Sequence, residues 1–321
     1  MIESLKQKVL NHQNLSPEEA LALSQTSDKE ALYKAADEIR EHFCNNVIDL
    51  CSITNAKSGK CSQDCKWCSQ SMHHKSDIEE YEIVDSKQAV KEALESAKQG
   101  VARHSLVTSG RRVSNKTLDG LIPIYREITE KSSIDLCASM GLINEEKMRR
   151  LKDEANIKHY HCNIETAPSF FSNLVSTHTM EEKIETIEVA QKLGLKVCSG
   201  GIIGMGETME QRMEMAFTLR DLQVKSIPIN ILQPMKGTAL EDLAPLSEDE
   251  ILTTIAIFRF INPDAHLRFA GGRVQIKSFQ HKALRSGISA ALTGDYLTST
   301  GSNIQEDIQD FKNAGFKIGN E

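Results

Sequence analysis

The sequence has no run of Lys and Arg that would serve as a nucleic-acid or anionic-membrane patch, and its formal net charge is −7. No window approaches 18 uninterrupted apolar residues, which argues against a membrane-spanning helix. The first residues, MIESLKQKVLNHQNL, have neither an apolar h-region nor the small-residue cleavage pattern of an export signal. There is no short repeat, low-complexity tract or long linker. These absences lead to the expectation of a cytoplasmic protein with no nucleic-acid or membrane partner. What is present is a chain of 321 residues, 40% hydrophobic and 26% charged, able to bury a large core under a charged surface. That length exceeds one average domain but is ordinary for a single α/β barrel.

Residues 1–40 read as a helical extension. LSPEEALALSQ carries Ser16 as an N-cap, Pro17 at the first helical position and acids in the first turn. Residues 41–321 then alternate between short apolar or β-branched runs and charged segments of helical period. Eight runs stand out: 46–53, 104–109, 134–141, 158–165, 196–204, 226–233, 266–272 and 289–297. Several intervening segments close on glycine, as at Gly100 and Gly194, which suits a helix C-cap. Eight β/α alternations predict a (β/α)8 barrel of the TIM type, with an open doubly wound sheet as the second choice. A barrel gathers its active site at the C-terminal ends of its strands. The unusual polar and sulfur residues fall in or just after the runs, so positions far apart in the chain would converge on one mouth.

Eight cysteines in a reducing compartment argue for metal or catalytic duty over disulfides. Three of them, Cys61, Cys65 and Cys68, lie in KCSQDCKWCSQS, in the loop after the first run. Structural zinc takes four protein ligands, often as two separated pairs. Three close thiolates instead suit three corners of a [4Fe–4S] cluster, with one iron open to another ligand. Trp67, inside the trio, would pack over a cluster or an adenine, or simply fill the loop.

The CxxxCxxC spacing after a first barrel strand resembles the radical S-adenosylmethionine (SAM) superfamily. That resemblance implies an open iron chelated by SAM, whose reductive cleavage releases a 5′-deoxyadenosyl radical that takes hydrogen from an unactivated carbon. Further segments, NAKSGKCSQDCKWCSQS, HYHCNIETAPSFF, KVCSGGIIGMGET, IPINIL, LRFAGGR and LTGDYLTSTG, resemble the biotin synthase family from about residue 40 onward. The resemblance implies conversion of dethiobiotin to biotin, with sulfur drawn from an auxiliary iron–sulfur cluster deep in the barrel. It further implies an electron donor such as flavodoxin or ferredoxin, and a homodimer. The alternative is another radical enzyme of similar layout, a hydrogenase-cofactor maturase or a methylornithine synthase. A non-catalytic zinc scaffold is a third reading.

The family pattern for the auxiliary site has cysteines on the second, third and fifth strands and an arginine on the seventh. Cys137, Cys198 and Arg268 match it, but Ser105 stands where the second-strand cysteine is expected. Cys51, at the end of the first run, offers a replacement, with Cys44 or Arg268 to complete the set. The pattern resembles a subgroup typical of anaerobes, which implies a four-iron auxiliary cluster with an extra sulfide, a [2Fe–2S] centre being the alternative. Cys162 replaces a family histidine and, by strand alternation, faces the helical layer. The resemblance assigns Glu165, Lys183, Ile202 and Trp67 to SAM, and Asn163, Asn230, Thr298 and Ser299 to substrate.

Overall fold

Ser16 caps the second helix as its position predicts. It accepts from the Glu19 amide, while the Glu19 carboxylate receives the Ser16 amide, closing a capping box. The computed structural model describes residues 1–295, 297 and 301–319. Three helices, Ile2–Leu10, Pro17–Ser24 and Lys29–Cys44, precede the first strand. Their partner explains them. Helix Glu248–Ile261 is buried on every residue from Ile251 to Ile261, so it has no solvent face. The second and third of the N-terminal helices pack on it, the first backs the third, and Tyr33 donates to the Asp249 carboxylate at 2.7 Å across the seam.

The strands are β1 (Val47–Lys57), β2 (Arg103–Thr108), β3 (Asp135–Ser139), β4 (His159–His161), β5 (Lys196–Cys198), β6 (Gly201–Ile203), β7 (Ser226–Ile231), β8 (His266–Phe269), β9 (Ala290–Leu292) and β10 (Lys317–Gly319). Pairing is parallel throughout and runs β1-β2-β3-β4-β5-β7-β8-β9, with β9 returning to β1. The sheet is therefore a closed eight-position barrel of the TIM type, with helices between successive strands.

Three details depart from the eight predicted runs. The fifth run is two strands, β5 and β6, sharing one position in the barrel. The break falls at Gly200 and Gly201, where a Cβ would lie 2.0 Å from the Pro228 carbonyl oxygen or 2.4 Å from that of Glu165. Neighbouring backbones approach there more closely than a side chain allows. The fourth run is regular only over three residues, and beyond it Glu165 rejoins the sheet through a single bridge to Gly201. Finally, β10 is an extra strand against the first residues of β1. Gly100 and Gly194 do follow helix ends in left-handed conformation, with φ of 86° and 75°.

Candidate active site

Cys61, Cys65 and Cys68 sit on an irregular loop beyond β1 that is tied to itself. The Cys61 amide donates to Gln70, that of Met72 to Cys61 at 2.8 Å, and that of Cys68 to Cys65 at 3.0 Å. Asp64, between the first two cysteines, anchors the loop to the segment after β4. Its carboxylate accepts from the Ser176 and Thr177 amides at 3.0 and 3.2 Å, and from both hydroxyls. Burial works against the Asp64 charge, but these donors hold its pKa far below the usual carboxylate range. Burial raises the Cys65 and Cys68 thiols, Cys68 to about 11, so metal loading must displace protons. Among the described residues, no three His, Cys, Asp or Glu side chains converge tightly enough for a single metal ion.

Against this loop stand Glu165 and Lys183, whose charges bear on Cys65. The Lys183 ammonium donates to the Asn163 carbonyl at 2.9 Å and lies 3.8 Å from the Glu165 carboxylate. Glu165 is a non-glycine residue at φ 71°. Its backbone is held there by bonds from its amide to Gly200 and from the Ile202 amide to its carbonyl. Such a conformation costs on the order of 1–3 kcal/mol and persists only where neighbours over-determine it. Burial raises the Glu165 pKa, and Lys183 opposes the rise.

Asn163 and Asn230 both reach the barrel mouth, and both are partly occupied by backbone. Asn163 accepts from the Gly200 amide at 3.0 Å; Asn230 accepts from Gly271 at 2.8 Å and donates to Gly201 at 3.0 Å. They pin strand ends while presenting what remains of each carboxamide. Ile202 is the register partner of Asn230. Trp67 packs against the hydrophobic core from a partly buried position. Thr298 and Ser299 lie outside the described residues.

Deeper in the barrel, Cys51, Cys137, Cys198 and Arg268 come from the first, third, fifth and seventh positions. Alternate strands of such a barrel supply four-residue interior layers. These four form one: Cys51 feels Arg268 and Cys198, and Cys137 feels Cys198 and Cys51. Burial pushes the Cys137 thiol up to about 12, and Cys198 adds to the rise. The Ser226 hydroxyl approaches the Cys198 sulfur at 3.4 Å.

Arg268 is heavily engaged. It donates to the Asp49 carbonyl at 3.1 Å, to the Ala291 carbonyl at 3.2 Å and to the Asp49 carboxylate. Arg103 shares that carboxylate at 2.6 Å. Burial opposes the Asp49 charge, but the two guanidiniums hold its pKa below the ordinary range. Burial likewise opposes the Arg268 charge, yet Cys51, Asp49 and Cys198 raise its pKa further.

Cys44 is elsewhere. Its sulfur faces the Ala265 carbonyl at 3.7 Å and the Arg259 guanidinium at 3.6 Å, beneath the barrel, so the structure removes it from the candidate ligand set. Cys162 is buried in the hydrophobic core, as strand alternation predicts. Sequence reasoning missed Asp49, Arg103 and His161. Period-two alternation was the available signal: Asp49 shares a face with Cys51, and His161 with Asn163 and Glu165. Burial lowers the His161 pKa to about 4, leaving a neutral imidazole in the lumen.

Residues 56–219 match the model of the Radical SAM superfamily, and residues 228–317 match that of the Biotin and Thiamin Synthesis associated domain. The biotin synthase of Porphyromonas gingivalis is 51% identical over 322 residues, covering 100% of this chain and 97% of that protein. That of Parabacteroides distasonis is 50% identical, covering 99% and 97%. The chain belongs to the biotin synthase family. Among solved structures, a methylornithine synthase superposes with a TM-score of 0.83 at 17% identity, covering 98% of this chain and 97% of that one. The hydrogenase maturase of Carboxydothermus hydrogenoformans gives 0.82 at 18% identity, covering 99% and 79%. At such identity these two share the fold alone, whereas half-identity along the whole chain sets this protein with the biotin synthases. A radical SAM enzyme of this family uses a [4Fe–4S] cluster and SAM. Among the described residues no helix is long and apolar enough to cross a membrane.

Proposed function

We propose that this chain converts dethiobiotin to biotin, inserting sulfur between two saturated carbons at the expense of an auxiliary iron–sulfur cluster. What supports this reading is a pair of cysteine sets, the loop trio beside Glu165 and Lys183 beyond β1 and the Cys51–Cys137–Cys198 layer inside the barrel. A substrate between them would present one carbon to a radical above and to sulfur below.

Cys61, Cys65 and Cys68 would hold a [4Fe–4S] cluster, which when bound supplies the electron that cleaves the SAM sulfonium. Lys183 faces the same space and would pair with the methionyl carboxylate, as a single ammonium without a bidentate fork. Glu165 would accept the ribose hydroxyls, its reach fixed by the constrained backbone. Ile202 and Trp67 would offer apolar surface to the adenine. Asn163 and Asn230 would use their remaining amide hydrogens and lone pairs on the ureido ring. Cys51, Cys137 and Cys198 would hold the sulfur-donating cluster, and the resemblance to the anaerobe-type subgroup favours a four-iron centre with an extra sulfide over a [2Fe–2S] one. Thr298 and Ser299 are assigned to the substrate carboxylate by family pattern alone. A flavodoxin or ferredoxin would deliver electrons, and a cytoplasmic homodimer is the proposed working form.

The test is anaerobic turnover with SAM, dethiobiotin and reduced flavodoxin. Biotin should form, with two SAM cleaved per biotin because two C–H bonds break. SAM cleavage without biotin, using dethiobiotin as substrate, would overturn the assignment.

A further inference from the structure

We propose that the outer face of the trio loop is the docking surface for the electron donor, a small acidic one-electron carrier protein, with Lys66, Lys75 and Lys236 as its rim and Met72 at its centre. The inference rests on the function proposed above and says where the reductant named there must sit.

A cluster held by Cys61, Cys65 and Cys68 takes one electron from outside for each SAM it cleaves. Electron transfer falls steeply with distance, so the donor must approach the cover of the trio itself. Residues 72–75 form that cover. The Met72 amide donates to the Cys61 carbonyl at 2.8 Å. The His73 and His74 rings lie 3.2 and 3.0 Å from the carbonyls of Ser62 and Cys65. Met72, His73 and Lys75 are exposed, and Cys61 and Cys65 beneath them are only partly buried.

The cover is cationic although the chain is not. Residues 60–75 hold three lysines against one aspartate, a formal +2 in a chain of −7. That aspartate is Asp64, already turned to the amides and hydroxyls of Ser176 and Thr177. Lys66 follows Cys65 and Lys75 follows His74, so the contact between His74 and Cys65 brings the two lysines to adjoining turns of the loop. The Lys75 amide donates to the Gly237 carbonyl at 3.2 Å, which sets Lys236 beside them. All three lysines are exposed, and none forms an ion pair with a described residue. Other exposed lysines are matched: Lys131 lies 2.5 Å from Glu127, and Lys225 lies 2.6 Å from Asp264.

Acids border this face on two sides. Glu241 accepts from the Gly237 amide at 2.6 Å. Residues 77–85 carry five acids and are tied back where Tyr81 bridges Ser58. A negative partner seated off-centre would meet like charge, which fixes its register. Met72 is 65% exposed, one of three large apolar side chains so placed among the described residues. One exposed methionine means little by itself. Inside a rim of unpaired lysines and over the trio, it supplies the apolar centre that protein interfaces use. Electron-transfer encounters bury less than about 1,200 Å², so a loop and its neighbour are area enough.

The experiment uses the full chain, reconstituted without oxygen, with flavodoxin as the probe. Carbodiimide coupling joins flavodoxin carboxylates to the lysines they touch, and peptide mass spectrometry locates the links. Links at Lys66, Lys75 or Lys236 are expected, fading in about 0.5 M salt as exposed charges are screened. Links confined to other lysines, such as Lys158 at the opposite end of the barrel, would overturn the proposal. So would the absence of links from a flavodoxin that still drives SAM cleavage. Lys75→Glu combined with Lys236→Glu should slow flavodoxin-driven SAM cleavage at low salt by about tenfold or more and flatten its salt dependence. Dithionite-driven cleavage, which needs no docking, should be unchanged, and Lys158→Glu should alter neither rate. An equal effect with both reductants, or none with flavodoxin, would overturn the proposal. The links in the wild type decide the question even if the variant fails to fold. A wild type that cleaves no SAM with dithionite would instead count against the function itself.

Discussion

The protein places its two sets of candidate cysteine ligands in different ways. At the mouth, Cys61, Cys65 and Cys68 lie within eight consecutive residues of one loop. In the lumen, Cys51, Cys137 and Cys198 each occupy a different strand, far apart in the chain. The first set is organised locally, by amide bonds within the loop and by the Asp64 clamp. The second exists only when the barrel closes and stacks alternate strands into layers. The loop can therefore be perturbed piecemeal, whereas the layer stands or falls with the fold.

That contrast can be broken most severely at the loop. Cys65→Ala should reduce SAM cleavage to background, because a two-thiolate loop cannot hold the cluster, while the lumen centre keeps its irons. Chromatographic assay of 5′-deoxyadenosine alongside iron analysis checks both halves, and loss of both centres would show that the two sites are not independent.

Acid should act on the barrel instead. Burial lowers the His104 pKa from 6.5 to about 4. The unfolded chain therefore takes up a proton that the folded one refuses. Stability is complete above pH 6.5 and falls as pH drops toward 4, by about 3 kcal/mol from this residue. Thermal unfolding of the metal-free protein across that range should show the decline, and His104→Phe should reduce it by that share, with His161 and His178 supplying a remainder. A smaller effect is expected from Asp64→Ala, which removes the clamp from an exposed edge. It should cost about 1–2 kcal/mol of stability. Iron should leave the loop centre faster in a chelator assay, with no change at the lumen centre.

The same contrast explains what was legible in the sequence. The trio could be read directly because its chemistry is written in adjacent positions. The barrel could be read from the alternation of apolar runs and amphipathic segments. The split between β5 and β6 could not, because it depends on how closely Pro228 and Glu165 approach Gly200 and Gly201 in space. The sequence offered Cys51 as a ligand and Cys44 only as a possible addition. Only the fold shows that a helix end puts one beside Arg259 and a strand turns the other into the lumen. Asp49 was within reach by its two-residue spacing from Cys51, but its pairing with Arg103 on the next strand has no local signature. His161 was within reach, two residues before Asn163 on the same face.

The central claim, a second cluster held by the interior layer, is tested most directly by iron and sulfide analysis with Mössbauer spectra on anaerobic wild type and Cys51→Ala. Two four-iron clusters predict about eight irons per chain in the wild type, falling to about four in the variant with SAM cleavage retained. A Cys51→Ala protein that keeps the full complement would contradict the account.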